Sequence, residues 1–293
     1  MGFKGVYKHK TYTSKMGIFF LLIFLSVILH TILAFCLTAF FESSGIVFIQ
    51  KYDLTAQSSV DYLKLIQMIS SIGLFITPTL LYSYLTNFDF QFGVLRRQSA
   101  IIVLAIMILI TPFIALLLEW NMQISFPQWF IQLDQNSAAI IEAFLKMNNI
   151  WDLLYTLLVL AIIPSIGEEL LFRGYLQQHI NIWLRNHHVA ILITAFLFSA
   201  VHLDIQGVIP RFVLGVLLGY FFYWSQSLWL PILAHFINNA QAVVFSYPGI
   251  KIDSSIHSAL NEGQVSFMLG LFSFSSVLLL LYILRQYLSI KKG

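Results

Sequence analysis

Residues 163–180 read IPSIGEELLFRGYLQQHI and place two glutamates and an arginine inside a run that is otherwise largely apolar. The run belongs to a longer stretch, 151–180, which as a helix is long enough to cross the ~30 Å hydrocarbon core of a bilayer. An ionisable side chain in such a helix costs roughly 2.5–3.5 kcal/mol on insertion scales, so these charges are candidates for a function. The stretch therefore predicts both a membrane protein and the location of its site.

The composition of the whole chain also indicates a membrane protein. Of its 293 residues, 59% are hydrophobic and 10% are charged, whereas a soluble domain carries about 25% charged residues. Apolar windows of about 20 residues recur along the chain, and a transmembrane β-barrel would instead show alternating segments of about ten residues. We therefore expect an all-α integral membrane protein with about eight transmembrane helices. The predicted spans are 16–41, 63–85, 99–119, 151–180, 187–203, 208–224, 228–247 and 267–288.

The distribution of cations predicts the orientation of these spans. If both termini are cytoplasmic, ten lysines and arginines fall in cytoplasmic segments and five in outer segments. Cytoplasmic loops of membrane proteins are enriched in Lys and Arg, so we predict a multi-pass protein of the cell (inner) membrane with both termini in the cytoplasm. The net charge of +3 then reflects topology, and no nucleic-acid partner is expected.

No internal repeat or low-complexity linker divides the chain, so residues 1–293 are predicted to form one polytopic membrane domain. The apolar run of the first span has 26 residues, which exceeds the about 7–15 of a signal peptide, so this span should remain as a helix. Residues 136–147, NSAAIIEAFLKM, have helical apolar spacing and are predicted to lie along the outer interface. Gly215 and Gly219 form a GxxxG pair, which predicts close helix packing.

The fourth span carries the first of three polar clusters. Glu169 and Arg173 are four residues apart on one helix face and can form an ion pair. Glu168 points about 100° away around the helix, so Arg173 serves Glu169 better. Glu168 is thus left without a local partner for its charge.

Two further spans carry polar residues at helical spacing. Phe198 and His202 share a face of span five, and His235 and Asn239 share a face of span seven. At 1.5 Å per residue, Glu168, His202 and Asn239 lie about 17–22 Å from the cytoplasmic ends of their spans, and His235 lies about 10 Å from its end. We therefore predict a polar cavity formed by spans four, five and seven. Because His235 is near the inner end of its span, the cavity is predicted to face the cytoplasm.

A carboxylate, two imidazoles and an amide, without a nucleophilic Ser or Cys on the same faces, suit the activation of water. Burial makes a carboxylate more basic, so it can take a proton from water and later deliver it to a leaving amine. Imidazole and amide donors one helical turn apart can stabilise the oxyanion of a tetrahedral intermediate. The chain lacks HExxH, HxxEH and GxSG motifs, and no GxGD motif accompanies its YD dipeptide. Glutamate-dependent amide hydrolysis within the membrane is the resulting hypothesis.

Three motifs occur in order along these spans: EELLFR (EExxxR, 168–173), FSAVH (FxxxH, 198–202) and HFINN (HxxxN, 235–239). They resemble the three motifs of the CPBP family (CAAX protease and bacteriocin-processing, also called Abi), which includes the prenyl endopeptidases of the Ras-converting type. The resemblance covers about residues 150–247, shows no departure within the motifs, and implies an eight-helix intramembrane protease. Residues 151–247 would form its catalytic core.

The resemblance also implies roles for the motif residues. Glu168 would activate the water with the assistance of His202, and His235 with Asn239 would stabilise the oxyanion. The remaining motif residues would support the site: Glu169, Arg173 and Phe198. No cofactor is expected, although a set of one Glu and two His also suits zinc, which leaves a zinc site as an alternative.

The predicted partners are the lipid bilayer and a membrane-associated peptide or protein substrate, with or without a lipid modification. Two other functions stay open. A transporter or proton relay would also use an intramembrane Glu and His, but it usually shows repeats, and this chain has none. A non-catalytic protein on the same scaffold, for example one that confers bacteriocin immunity, would carry the same motifs. The polar residues would otherwise serve only to hold helices together.

Overall fold

A computed structural model describes residues 3–41, 53–250 and 265–290 of the chain. Within these ranges the chain forms helices joined by short connections and contains no β-strand, which confirms the all-α class. The helices are α1 (Tyr12–Phe41), α2 (Gln57–Thr86), α3 (Arg97–Leu109), α4 (Thr111–Met122), α5 (Gln128–Leu145), α6 (Ile150–Leu184), α7 (His187–Ala200), α8 (Val208–Ser225), α9 (Trp229–Phe245) and α10 (Phe267–Ile290).

The number of helices that are long and apolar enough to cross a membrane is smaller than the predicted eight. Five described helices qualify, namely α1, α2, α6, α8 and α10, and the pair α3 and α4, bent by 41°, makes a sixth if it is one span. Pro112 in the first turn of α4 accounts for this bend, because proline cannot continue the hydrogen bonding of α3. The predicted spans 187–203 and 228–247 correspond to α7, with 14 residues, and α9, with 17. At 1.5 Å per residue α7 is only about 21 Å long, so the count of eight is not confirmed.

The long helices α2 and α6 contain π-helical segments, which the sequence pattern did not predict. These segments are Ile72–Ile76 in α2 and Leu158–Ile162 and Leu170–Gln177 in α6. Pro78 and Pro164 follow the first two segments closely. A proline has no N–H for the carbonyl four residues earlier, and its ring clashes with that carbonyl. In both helices this carbonyl lies inside the π segment, which accommodates the missing bond.

Helices α8 and α9 pack between two apolar clusters. One cluster joins them to α3 and α10, and the other joins α6 to α1, α2 and α7. The predicted close packing at Gly215 and Gly219 is confirmed. A Cβ atom at Gly215 would lie 3.1 Å from Cα of Ala195, and one at Gly219 would lie 2.8 Å from Cγ2 of Ile191, both in α7. The two glycines therefore let α7 and α8 approach each other closely.

One end of the helix bundle, here the N-terminal end, carries the first described residues. The backbone amides of Gly5 and Tyr7 donate to the carbonyls of Tyr84 and Leu85, at 2.8 and 2.9 Å. The connection 88–93, here the closing segment, packs at this end against the connection between α8 and α9. The amide of Leu228 donates to the carbonyl of Gln91 at 3.0 Å, and the Ser227 hydroxyl donates to the carbonyl of Gly93 at 2.8 Å.

The opposite end, here the α5 end, carries α5 and the connection 201–207. The predicted helical character of residues 136–147 is confirmed, and the helix begins earlier, at Gln128. The ammonium of Lys64 in α2, which has no exposed surface, donates to the Thr156 hydroxyl in α6 at 2.9 Å. That hydroxyl donates to the carbonyl of Phe144 in α5 at 3.3 Å. A buried hydrogen-bonded chain thus attaches α5 to the bundle.

Candidate functional site

The packed side of the site is the ion pair between Glu169 and Arg173. Both side chains are fully buried, and Nη1 of Arg173 lies 2.6 Å from Oε1 of Glu169, as the spacing of the two residues predicted. Nη2 of Arg173 donates to the carbonyl of Gly215 in α8 at 2.9 Å. Gly215 lets α8 lie close to α7, because a side chain at this position would meet Ala195. Arg173 therefore neutralises Glu169 and also links α6 to α8.

His235 joins this pair from α9. Its Nδ1 lies 2.8 Å from Oε1 of Glu169, and the imidazole is only 3% exposed. A carboxylate that already accepts from Arg173 can only accept a hydrogen bond here, so Nδ1–H of His235 is the donor. Nε2 of His235 then faces Oε2 of Glu168 at 4.0 Å. The bond between His235 and Glu169 was missed from the sequence, because helical spacing relates residues of one helix and not of two.

Phe198 in α7 separates the charged groups from the apolar core. Its ring centroid lies 4.7 Å from the guanidinium carbon of Arg173, a cation–π contact. The same ring packs edge-on against the imidazoles of His202 and His235, with centroid distances of 5.0 and 5.7 Å. Phe198 thus contacts three of the motif side chains at once.

Glu168 lies on the other side of α6 and is 8% exposed. Its Oε2 is 3.6 Å from Nε2 of His202 and 4.0 Å from Nε2 of His235. Nδ1 of His202 lies 2.7 Å from the carbonyl of Phe198, so Nδ1–H is the donor in this ring as well. In their neutral forms, both imidazoles therefore present a lone pair on Nε2 towards Glu168. The carboxylate oxygen and the two imidazole nitrogens are then all hydrogen-bond acceptors. Their separations exceed direct hydrogen-bond distances and suit a donor that bridges them.

Asn239 is held apart from this group. Its Nδ2 donates to the carbonyl of Leu160 at 3.1 Å, and its Oδ1 accepts from Asn238 at 3.1 Å. The Leu160 carbonyl is available because Pro164, four residues later in α6, has no N–H to donate to it. Among the described residues, the hydrogen bonds of Asn239 reach the α6 backbone and Asn238, and neither reaches Glu168 or the imidazoles.

His202 lies just beyond the end of α7, in the connection 201–207, and not inside a helix as predicted. This connection is fixed by Asp204, whose carboxylate pairs with Arg211 and accepts from the amide of Gly207 at 2.8 Å. The guanidinium of Arg211 also donates to the carbonyl of Asp204 at 3.3 Å. We did not predict these residues to belong to the site. The sequence HLDIQGVIPR (202–211) does contain one signal for them, namely a turn from Asp204 to Gly207 that precedes α8.

A cavity of about 670 Å³ opens beside His202 at the α5 end. Its walls come from α4, α5, the connection 201–207 and the start of α8. The side chain of His202 is 30% exposed there, whereas that of Glu168 is 11% exposed. The prediction that spans four, five and seven enclose the cavity is therefore incomplete, because α4 and α5 supply much of its wall.

The prediction that the cavity faces the cytoplasm near His235 is not confirmed by the described residues. Phe90 of the closing segment and Leu228 cover this region, and they are 3% and 0% exposed. Both pack in one cluster with Ile232, which is 7% exposed. The depth argument assumed that the seventh span begins at the membrane surface, but its helix begins beneath the closing segment. Apolar packing therefore fills the space between Ile232 and the closing segment.

Comparison with known proteins agrees with this geometry. Residues 149–241 match the family model described as type II CAAX prenyl endopeptidase Rce1-like. A Bacillus subtilis (strain 168) protein, described as uncharacterized protein YpbD, is 31% identical over 88 residues. The match takes in 29% of this chain and 42% of that protein, so the chain covers less than half of the length of that relative. No solved structure matches the chain. Residues 149–241 of this multi-pass membrane protein, which include all three motifs, are therefore similar to the Rce1-like CAAX protease family, as the resemblance predicted.

Proposed function

We propose that the protein is an intramembrane endopeptidase that hydrolyses a peptide bond by glutamate-activated water. Its substrate is a membrane-associated peptide or protein, with or without a lipid modification. The observation that carries the proposal is the position of Glu168 beside His202, which lines the cavity. Two imidazole Nε2 atoms face its carboxylate at 3.6 and 4.0 Å, and no arginine or lysine forms a salt bridge with it among the described residues.

In the proposed reaction, Glu168 accepts a proton from a water molecule. Nε2 of His202 accepts the second O–H of that water and so orients its oxygen towards the substrate carbonyl. The oxygen attacks the carbonyl carbon, and Glu168 then returns its proton to the nitrogen as the C–N bond breaks. The products are a carboxylic acid and an amine, so the water is fully accounted for.

His235 and Asn239 would act on the oxygen of the tetrahedral intermediate. Glu169 accepts Nδ1–H of His235 and fixes the ring with Nε2 towards Glu168, so His235 would donate to an oxyanion as an imidazolium, with Nε2 also protonated. Asn239 uses one amide N–H for the Leu160 carbonyl and has a second N–H for an oxyanion. The geometry supports the role of His235 more directly, because the hydrogen bonds of Asn239 reach Leu160 and Asn238 and not the Glu168 group. Preorganised donors of this kind contribute much of the rate enhancement in acyl-transfer enzymes.

The structure gives a reason to prefer hydrolysis over a purely structural role. A carboxylate that only holds helices together should have direct hydrogen-bond partners, as Glu169 has. Oε1 of Glu169 accepts from Arg173 and His235, although its Oε2 has no partner, whereas Glu168 has no direct hydrogen bond to any described residue. A non-catalytic immunity or binding protein would also keep this scaffold, so the distinction requires an activity measurement.

The zinc alternative involves Glu168, His202 and His235. Zinc-bound histidines usually donate their other N–H to a carboxylate or carbonyl, as both imidazoles do here. However, no group of three His, Cys, Asp or Glu among the described residues has an arrangement that would hold a metal ion. We therefore propose a metal-free mechanism and expect proteolysis to persist in 1,10-phenanthroline. Loss of activity that added zinc restores would favour the metal site instead.

The experiment that tests the function compares new peptide termini in membranes of cells that express the wild-type chain or Glu168→Gln at equal abundance. Fragments found only with the wild type would identify a protease and its substrate together. Glu119→Gln is the matched control, because Glu119 is an exposed glutamate of α4 that does not line the cavity. Identical profiles for wild type and Glu168→Gln, with full complementation of a deletion phenotype, would favour the binding or immunity function.

A further inference from the structure

The two ends of the bundle give different access to the proposed catalytic group. At the N-terminal end, the closing segment and the connection 226–228 are joined by two hydrogen bonds, and Phe90 and Leu228 pack with Ile232, three residues before His235 in α9. At the α5 end, the cavity reaches the imidazole of His202. Of these two ends, the described residues favour the α5 end as the route of a substrate to Glu168.

The described cations place the N-terminal end in the cytoplasm. Eight of them lie in segments at that end: Lys4, Lys8, Lys10, Lys15, Arg96, Arg97, Arg185 and Arg285. At the α5 end, Lys64 is fully buried, while Lys146 and Arg211 are paired with Glu142 and Asp204. Cytoplasmic segments carry the excess of Lys and Arg in membrane proteins, so the α5 end faces away from the cytoplasm. Four more cations lie outside the described residues: Lys51, Lys251, Lys291 and Lys292.

The walls of the cavity indicate the chemistry of the segment that enters. Four aliphatic side chains come from α4 and α5: Leu118, Ala138, Ile141 and Leu145. The uncharged polar residues Gln135, Ser137 and Gln206 also line it. The charged residues of the wall are paired with each other or with a neighbour, as Arg211 is with Asp204. These walls suit an extended polypeptide with apolar side chains, whose backbone amides can bond to the glutamines and the serine.

We infer that the substrate is an apolar polypeptide segment exposed on the non-cytoplasmic side of the membrane, and that it reaches Glu168 through the α5 end. This inference rests on the proposed function. A lipid-modified tail presented at the cytoplasmic surface would reach Glu168 only after the closing segment had moved away from Leu228. The inference therefore excludes such a tail as the substrate of the structure described.

The test uses single cysteines on a Cys36→Ser background, because Cys36 is the only cysteine of the chain. Gln206→Cys places a thiol at an exposed position of the cavity wall. His187→Cys is the matched control, at an exposed position of the N-terminal end. On intact cells, a membrane-impermeant maleimide attached to polyethylene glycol should label Gln206→Cys. It should label His187→Cys only after the membrane has been opened.

Labelling should also block the substrate. We expect modification of Gln206→Cys from outside to lower the yield of Glu168-dependent fragments about tenfold or more, because the polymer occupies the entrance to the site. Modification of His187→Cys in opened membranes should leave the yield unchanged. The inference is overturned if Gln206→Cys is labelled only in opened membranes, or if its modified form cleaves at the unmodified rate.

Failure of the proposed function would look different. If Glu168→Gln in the same background leaves every fragment in place, the protein does not hydrolyse peptides through Glu168. If the fragments depend on Glu168 but labelling of Gln206→Cys from outside does not reduce their yield, the result supports the proposed proteolysis and contradicts the proposed entry route.

Discussion

The packed side of α6, around Glu169, and its cavity side, around Glu168, treat neighbouring carboxylates in opposite ways. Glu169 has no exposed surface and contacts both a guanidinium and an imidazole N–H. Glu168 lies beside His202, which lines the cavity, and faces two imidazole nitrogens across 3.6 and 4.0 Å. The difference separates two uses of a charge inside a membrane. One carboxylate is compensated and holds helices together, and the other keeps its capacity to accept a proton.

The largest expected effect comes from Glu168→Gln. This change removes the proposed base and keeps the shape of the side chain, so we expect the cleavage rate to fall by about 10²–10⁴-fold. Thermal stability in detergent should stay close to that of the wild type, because Oε2 of Glu168 has no hydrogen bond to lose. A large loss of stability together with activity would place Glu168 among the structural residues and remove the contrast with Glu169.

On the packed side, Arg173→Met should mainly affect stability. The change leaves the buried carboxylate of Glu169 without its cation, which typically lowers the free energy of unfolding by about 3–5 kcal/mol. Unfolding in detergent would measure this loss. Lys146→Met is the control, because it breaks a salt bridge whose side chains are 68% and 74% exposed, and it should change little. Adding Glu169→Gln to Arg173→Met should recover part of the stability. Equal stabilities for Arg173→Met and Lys146→Met would contradict the proposed compensation.

His202→Ala sharpens the comparison on the cavity side. We expect the cleavage rate to fall by about 10–100-fold, less than for Glu168→Gln, because His202 orients the water and Glu168 can still accept its proton. The unfolding transition should shift little, because the His202 side chain is 30% exposed. His188→Ala, at an exposed position of the N-terminal end, should leave the rate unchanged. A rate for His202→Ala equal to that of the wild type would remove His202 from the mechanism.

The smallest effect concerns the packing that supports Arg173. Gly215→Ala forces a methyl group to 3.1 Å from Cα of Ala195, and such overpacking costs about 1–3 kcal/mol of stability. Gly17→Ala is the control, because nothing lies within 4 Å of a Cβ atom there. It should be neutral or stabilising by up to about 1 kcal/mol, since alanine favours the helix. If the two variants have the same stability, the close approach of α7 and α8 does not depend on Gly215.

The sequence predicted the convergence of the motifs because two simple rules apply within a helix. Charges inside an apolar span are costly, which singled out Glu168, Glu169 and Arg173. Residues four apart share a face, which predicted the ion pair. His202 was found because its depth matches that of Glu168, and His235 was found because it shares a helix face with Asn239, which lies at a similar depth. Each of these steps used the periodicity of one helix or its depth in the membrane, so it needed no tertiary information.

The direction in which the site opens required the tertiary structure. Depth counted from the ends of apolar runs placed His235 near a surface, but the closing segment folds over that region. The cavity depends on α5, whose position follows from packing against α2 and α6 and not from a motif. The π segment before Pro164 likewise arises from one missing N–H. It leaves the Leu160 carbonyl available to Asn239, and this contact is visible only in the tertiary structure.

The buried chain from Lys64 through Thr156 to Phe144 has a consequence for how the protein assembles. An ammonium inside a newly inserted α2 is unfavourable by about 2.5–3.5 kcal/mol on insertion scales until a partner reaches it. Its hydrogen-bond partner lies 92 residues later in the chain, in α6. The contact of Lys64 with Thr156 can therefore form only after α6 has been synthesised. Because Thr156 also binds the carbonyl of Phe144 in α5, we expect the α5 wall of the cavity to be completed late in assembly, together with the candidate site.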